Sequence, residues 1–63
     1  MWAVVYIAPS KKIAEQIQDL LQREGVLVKL RGYGFDQDEN SFVEVLVPEA
    51  EAGEALELLN AII

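Results

Sequence analysis

The chain has 63 residues with no cysteine or histidine, and its eleven acidic and five basic residues give a net charge of −6. This length allows one small core, and the composition excludes disulfides and disfavours a structural zinc site, two common supports of short domains. The charge repels phosphate backbones and anionic lipid surfaces, so we expect neither nucleic acid nor a membrane as partner. The apolar run at residues 2–8 is too short to span a membrane and its lysines follow it, so we predict one cytoplasmic domain, residues 1–63.

The first two predicted elements are a strand and an amphipathic helix. Residues 2–8, WAVVYIA, are β-branched or aromatic and apolar at both parities, which indicates a strand covered on two faces. Pro9 ends this strand, and Ser10 is placed as a helix N-cap. The apolar positions that follow at helical spacing are Ile13, Ile17, Leu20 and Leu21. Gly25 is placed as the glycine that ends the helix.

Two strands joined by a loop come next. Residues 26–31 alternate in polarity, and the face predicted to point inward consists of Val26, Val28 and Leu30. Residues 41–47 alternate in the same way, with an inward face of Val43, Val45 and Val47. Residues 32–41, GYGFDQDENS, have no regular apolar period and are rich in turn-forming residues, which predicts the loop of a wide hairpin.

A second helix closes the chain. Pro48 opens it, and Glu49 and Glu51 complement the positive end of the helix dipole. The predicted inward stripe consists of Ala52, Ala55, Leu56, Leu59 and Ile62. Gly53 lies inside this helix, and either close packing of the helix on the sheet or a functional requirement would explain it.

The order of elements predicts an α+β fold, a βαββα ferredoxin-like two-layer sandwich without its fourth strand. The right-handed crossover and the hairpin favour an antiparallel sheet of order 1-3-2 with both helices on one face. The fourth strand would normally cover the edge of strand one, residues 1–8. This edge has no charge, no proline and no evident bulge, the features that usually protect an exposed edge.

The sheet face away from the helices is predicted to be mostly apolar. Strand parity assigns to it Trp2, Val4, Tyr6, Leu27, Lys29, Phe42, Glu44 and Leu46. A register that places Leu27 beside Leu46 would also pair Lys29 with Glu44. An apolar face of this kind indicates a partner, so we predict a homodimer, with another protein as the alternative occupant.

The predicted interface consists of Trp2, Val4, Tyr6, Phe42, Glu44 and Leu46. Two geometries are open, because strand one can pair with its twin through its edge, or the two apolar faces can pack together.

A candidate anion site follows strand one. Ser10, Lys11 and Lys12 open a helix, where backbone N–H groups and two ammonium groups could bind an anionic effector such as a phosphate group. The glycines of a P-loop or a dinucleotide-binding fingerprint are not present, so an ordinary capped helix is the other explanation.

A candidate cation site lies in the predicted hairpin loop. Asp36, Asp38 and Asn40 repeat the opening D-x-D-x-N of a calcium-binding loop. Ser41 and Val47 stand where that motif needs glycine and a bidentate glutamate, so a solvated acidic hairpin is the favoured interpretation. No arrangement of acids, bases and nucleophiles forms a recognisable triad, and we therefore expect no catalytic residue and no cofactor.

Two stretches, VVYIAPSKKIAEQIQDLLQREGVLV and VEVLVPEAEAGEALELL, resemble a small family of prokaryotic signal-transducing proteins. Members of that family begin with a strand ending in an alanine-proline step, continue with a helix of the form A-E-x-I-x-x-L-L-x-x-E-G, and close with a strand, V-P and a helix. The matching parts here are residues 14–25 and 43–59.

The resemblance implies a fold related to the PII and ACT-type regulatory domains, whose ferredoxin-like units oligomerise and bind small effectors at subunit junctions. It carries over no ligand and no catalytic residue, and the acidic stretch GFDQDEN departs from what an anionic effector would favour. We therefore expect a noncatalytic regulatory or adaptor module that acts through protein contacts. The alternative is a domain of the PII or ACT type that binds a small-molecule effector or a metal ion.

Overall fold

The computed structural model describes residues 1–32 and 42–62. In chain order, the elements are β1 (Trp2–Ala8), α1 (Lys11–Arg23), β2 (Lys29–Gly32), β3 (Val43–Pro48), a 3-10 turn (Glu49–Glu51) and α2 (Ala52–Ile62). The predicted order of strand, helix, strand, strand and helix is therefore confirmed.

The three strands form one antiparallel sheet in the order β1-β3-β2. Among the described residues, β3 is the central strand and β1 and β2 are the edges. The predicted α+β fold with sheet order 1-3-2 is confirmed, and the arrangement is consistent with a ferredoxin-like fold that lacks a strand.

The core lies between one face of the sheet and the two helices. Its buried side chains include Val43, Val45 and Val47 from β3, Ala14, Ile17 and Leu21 from α1, and Ala55 and Leu59 from α2. Because side chains alternate along a strand, the three valines share one face of the sheet. Both helices therefore pack on that same face, as the sequence predicts.

Local signals set both ends of α1. The Ser10 hydroxyl accepts a hydrogen bond from the backbone N–H of Ile13 at 3.3 Å, which confirms Ser10 as the N-cap. After the helix, Gly25 has a φ of 85°, a left-handed conformation that glycine adopts without a steric penalty. On the exposed side of the helix, Asp19 and Arg23 form an ion pair at 3.0 Å.

The second strand is shorter than the alternating pattern predicts. Val26 is buried, and Val28 and Leu30 pack against the core, so the predicted inward face is correct. Strand pairing, however, begins only at Lys29. Part of the reason is that the backbone N–H of Val26 donates to the carbonyl of Leu21, which engages Val26 in the closing turn of α1.

The predicted inward stripe of α2 is only partly correct. Ala55 and Leu59 are buried and Ala52 packs against the core, whereas Leu56 and Ile62 are about half exposed. Each residue turns a helix by about 100°, so the side chain of Leu56 points roughly a quarter turn away from the stripe that Ala55 and Leu59 define. Ile62 is in phase with the stripe but lies in the last turn.

Gly53 does not mark close packing of α2 on the sheet. It is exposed, and a Cβ atom placed there would have no heavy-atom neighbour within 4 Å. The packing explanation considered for this glycine is therefore wrong.

Candidate functional site

The surface of interest is the sheet face away from the helices, called here the open face. Strand register places on it Trp2, Val4 and Ile7 of β1, Glu44 and Leu46 of β3, and Lys29 and Arg31 of β2. Most of the predicted open-face residues of the strands are thus found there, with Tyr6 as the exception.

Tyr6 points to the core side because β1 contains a bulge. Val4 is opposite Leu46, but Tyr6 is opposite the inward-facing Val45, which leaves Val5 as an extra residue between the two pairs. Tyr6 is half-buried and packs against the core. The prediction that Tyr6 lies on the open face, and the assumption of a strand without a bulge, are therefore wrong.

Ile7 takes the place predicted for Tyr6. It lies opposite Glu44 on the open face and is 53% exposed. This exchange could not be predicted, because residues 2–8 are apolar at both parities and a bulge does not change the polarity pattern of such a segment.

Apolar side chains line the open face along the edge strand β1. Trp2 is 46% exposed and Val4 is 43% exposed, and Ile7 continues the same row. Leu27 and Phe42, which precede β2 and β3, are also largely exposed. A row of exposed apolar side chains on one face, such as Trp2, Val4 and Ile7, typically marks a contact site.

The central strand carries a buried carboxylate on this face. Glu44 is only 7% exposed, and its Oε1 accepts a hydrogen bond from Arg31 Nε at 2.5 Å. The predicted pairing of Glu44 with Lys29 is wrong, because Arg31 lies opposite Glu44 and Lys29 lies opposite Leu46. A charge-assisted hydrogen bond of this type offsets part of the cost of burying the carboxylate.

Lys29 and Trp2 meet across the central strand. The ammonium nitrogen of Lys29 lies 5.6 Å from the centroid of the Trp2 ring, within the range of a cation–π interaction. The two side chains come from opposite edges of the sheet, and Leu46, which lies between those edges, is only 3% exposed. We infer that the alkyl chain of Lys29 helps to cover Leu46.

Charge is distributed unequally between the two layers. The helical layer, meaning α1 with its caps, the 3-10 turn and α2, contains seven acidic and three basic residues. The open face has two basic residues and one acidic residue. In the described part of the chain, the helical layer is therefore strongly negative, whereas the open face has a small positive charge.

The candidate anion site coincides with the start of α1. Lys11 and Lys12 are exposed, and the Ser10 hydroxyl is engaged in capping the helix. The predicted residues are thus adjacent at a helix N-terminus, and their use as an anion site stays a prediction.

The candidate cation residues Asp36, Asp38 and Asn40 lie outside the described residues. Within residues 1–32 and 42–62, no group of three acidic side chains is arranged to hold a metal ion.

A shallow groove lies between the last turns of the two helices. It is lined by Leu20, Arg23, Glu24, Leu58, Ala61 and Ile62. Its walls are mainly apolar, and its charged residues, Arg23 and Glu24, lie at the end of α1. Because the groove is shallow, it is a minor feature compared with the open face.

Comparison with known proteins leaves the family of this chain unassigned. No family model matches it, and no curated protein or solved structure matches it either. The resemblance to prokaryotic signal-transducing proteins therefore stays a prediction. In the part of the chain that the structure describes, neither helix has the length and apolarity required to cross a membrane.

Proposed function

We propose that this chain is a noncatalytic regulatory or adaptor module that acts through protein contacts and forms a homodimer through its open face. The observation that carries the proposal is the row of Trp2, Val4 and Ile7, each about half exposed on the same side of an edge strand. A domain of 63 residues buries little apolar surface in total. Side chains that stay exposed to water therefore reduce its hydrophobic stabilisation by a substantial fraction.

The family resemblance agrees with a regulatory role. Residues 14–25 form most of α1 and its closing turn, and residues 43–59 form β3, the 3-10 turn and most of α2. The segments that resemble signal-transducing proteins are thus the ones that build the core. A cytoplasmic location is part of the proposal.

Effector or metal-ion binding is the alternative function. It would use Ser10, Lys11 and Lys12 for an anion, or residues 36–40 for a cation. In the first group the Ser10 hydroxyl caps α1, while Lys11 and Lys12 are exposed; the second group lies outside the described residues. The described residues therefore support protein contact better than effector binding.

Sedimentation over a concentration series tests the proposal, using wild type, Val4→Lys and a matched control, Leu56→Lys. Val4 and Leu56 are 43% and 47% exposed, but Leu56 lies on α2. We expect wild type and Leu56→Lys to dimerise and Val4→Lys to remain monomeric, because the added charge would be desolvated in the interface. Circular dichroism would establish that each variant is folded. A wild-type protein that stays monomeric up to about 1 mM, the range of very weak association, would refute the homodimer.

A further inference from the structure

We propose that β1 exchanges between two registers on β3, the bulged register of the structure and a regular one without the bulge. The exchange changes which side chain of β1 lies opposite Glu44 on the open face. It takes place within one chain, so the inference goes beyond the proposed homodimer and does not depend on it.

The regular register follows from removing the bulge. Residues 2–4 keep their partners, and residues 5–7 pair with β3 without an extra residue between them. Tyr6 then lies opposite Glu44 and points to the open face, where Ile7 now lies. Ile7 in turn moves to the core side. A shift of one position along β3 therefore exchanges the faces of these two side chains.

The polarity of β1 does not distinguish between the two registers. A one-residue shift normally turns apolar side chains into water, which fixes the register of a strand that is buried on one face. Residues 2–8 are apolar at both parities, so the shift replaces one apolar set with another. The bulged register leaves Ile7 53% exposed, while Tyr6 is half-buried. The regular register buries the isoleucine and gives the tyrosine hydroxyl access to water.

The volume of side chains on the core side is similar in the two registers. In the bulged register, Tyr6 and Ala8 point to the core, and in the regular register Val5 and Ile7 replace them. A large and a small side chain are thus exchanged for two of medium size. Changes that conserve the total volume are the ones that a packed core tolerates best.

The place of β1 in the fold allows the shift. Among the described strands it is an edge, so only its hydrogen bonds to β3 have to rearrange. Residues 9 and 10 connect β1 to α1, and in the regular register Ala8 leaves the ladder and lengthens this connection by one residue. The start of α1 can therefore keep its position. Because Ala8 is fully buried in the structure, its withdrawal makes the regular register the minor one.

The exchange acts as a switch between two versions of the open face. Ile7 presents an apolar side chain opposite Glu44, whereas Tyr6 presents a ring with a hydroxyl group that donates and accepts hydrogen bonds. A contact on the open face that prefers one of these side chains shifts the equilibrium toward its register. The length of the connection to α1 changes with it, which links the open face to the start of that helix.

NMR relaxation dispersion of wild type tests for the minor register. We expect exchange at the amides of residues 5–8 and 43–45 on the microsecond to millisecond timescale, with a minor population of about 1–10%. Deleting Val5 should abolish it, because the remaining strand is regular with Tyr6 inward and Ile7 outward. Exchange within one chain is the same at low and high protein concentration. Flat profiles in wild type, or exchange that grows with concentration, would overturn the proposal.

Ile7→Lys and Tyr6→Lys are matched variants that each favour one register, because a lysine ammonium group is costly to bury. Ile7→Lys keeps the bulged register and should abolish the dispersion. Tyr6→Lys favours the regular register, in which position 6 faces the Glu44 carboxylate. We expect cross-strand NOE contacts from position 6 to Glu44 in Tyr6→Lys and to Val45 in Ile7→Lys. Position 6 still opposite Val45 in folded Tyr6→Lys would overturn the proposal, and if that variant does not fold, the wild-type dispersion decides.

Discussion

Glu44 is the buried charged residue of the described sheet. The cost of burying its carboxylate is offset by the guanidinium of Arg31, which lies opposite it on β2. Its side chain accepts the Nε hydrogen of Arg31, whose own side chain is 60% exposed. The pair thus has one partner excluded from water and one that reaches it. Removing the exposed partner of such an ion pair destabilises the fold, mainly because the buried charge then keeps its desolvation cost with fewer hydrogen bonds to offset it.

We expect Arg31→Met to destabilise the fold by about 1–3 kcal/mol, because the Glu44 carboxylate loses a charge-assisted hydrogen bond while it stays buried. The free energy of unfolding in urea measures this effect. The double variant Arg31→Met with Glu44→Leu should recover most of the loss, since it removes the buried charge together with its partner. A single variant as stable as wild type would show that the pair contributes nothing.

The sequence could predict that Glu44 needs a cation but not which one. Lys29 and Arg31 lie on the same face of β2, so two registers that differ by two residues both satisfy the charge and both keep the apolar alternation. The choice between them depends on how the chain connects β2 to β3, which polarity patterns do not encode. For the same reason, the position of Lys29 over Trp2 could not be predicted.

At the scale of elements, the sequence predicted best where the signals are local. The cap at Ser10 and the helix-ending Gly25 lie within a few residues of the backbone groups they serve, and both were correctly predicted. The bulge at Val5 is a property of pairing between β1 and β3, and the uniformly apolar sequence of β1 does not reveal it. The exposed row on β1 could therefore be predicted at Trp2 and Val4 but not at Ile7.

The two glycines near helix ends make a matched test of backbone conformation. Gly53→Ala should stabilise the fold by about 0.4–1 kcal/mol, because alanine restricts the unfolded chain and meets open space in the folded one. Gly25→Ala should destabilise it by about 1 kcal/mol, because its φ of 85° is unfavourable for any residue with a Cβ atom. Thermal or urea unfolding compares the two, and shifts of the same sign would contradict the assigned conformations.

At the scale of the whole molecule, the core is so small that a single buried side chain accounts for a large share of the free energy of unfolding. Native domains are stable by about 0.05–0.15 kcal/mol per residue, which corresponds to roughly 3–9 kcal/mol for a chain of this length. Leu21, a fully buried side chain of α1, lies in this core with Val45 and Val47. Removing one such side chain therefore affects a large share of the total stability.

Leu21→Ala is expected to destabilise the fold by about 2–5 kcal/mol, through lost apolar burial and the cavity left behind. Far-ultraviolet circular dichroism during urea titration would show a much lower midpoint. Leu56→Ala provides the control, because Leu56 is half exposed and should cost under about 1 kcal/mol. Equal losses in the two variants would mean that α1 is not the main helix of the core.

The unequal distribution of charge between the layers also gives the described part of the chain an electric dipole that runs across the sheet, from the acidic helices to the weakly positive open face. A molecule of this kind adopts a preferred orientation next to a charged support. Within the described residues, the helical layer would therefore be drawn to an anion-exchange resin more strongly than the open face. Adsorption through the helices would leave the apolar row of β1 on the side away from the resin.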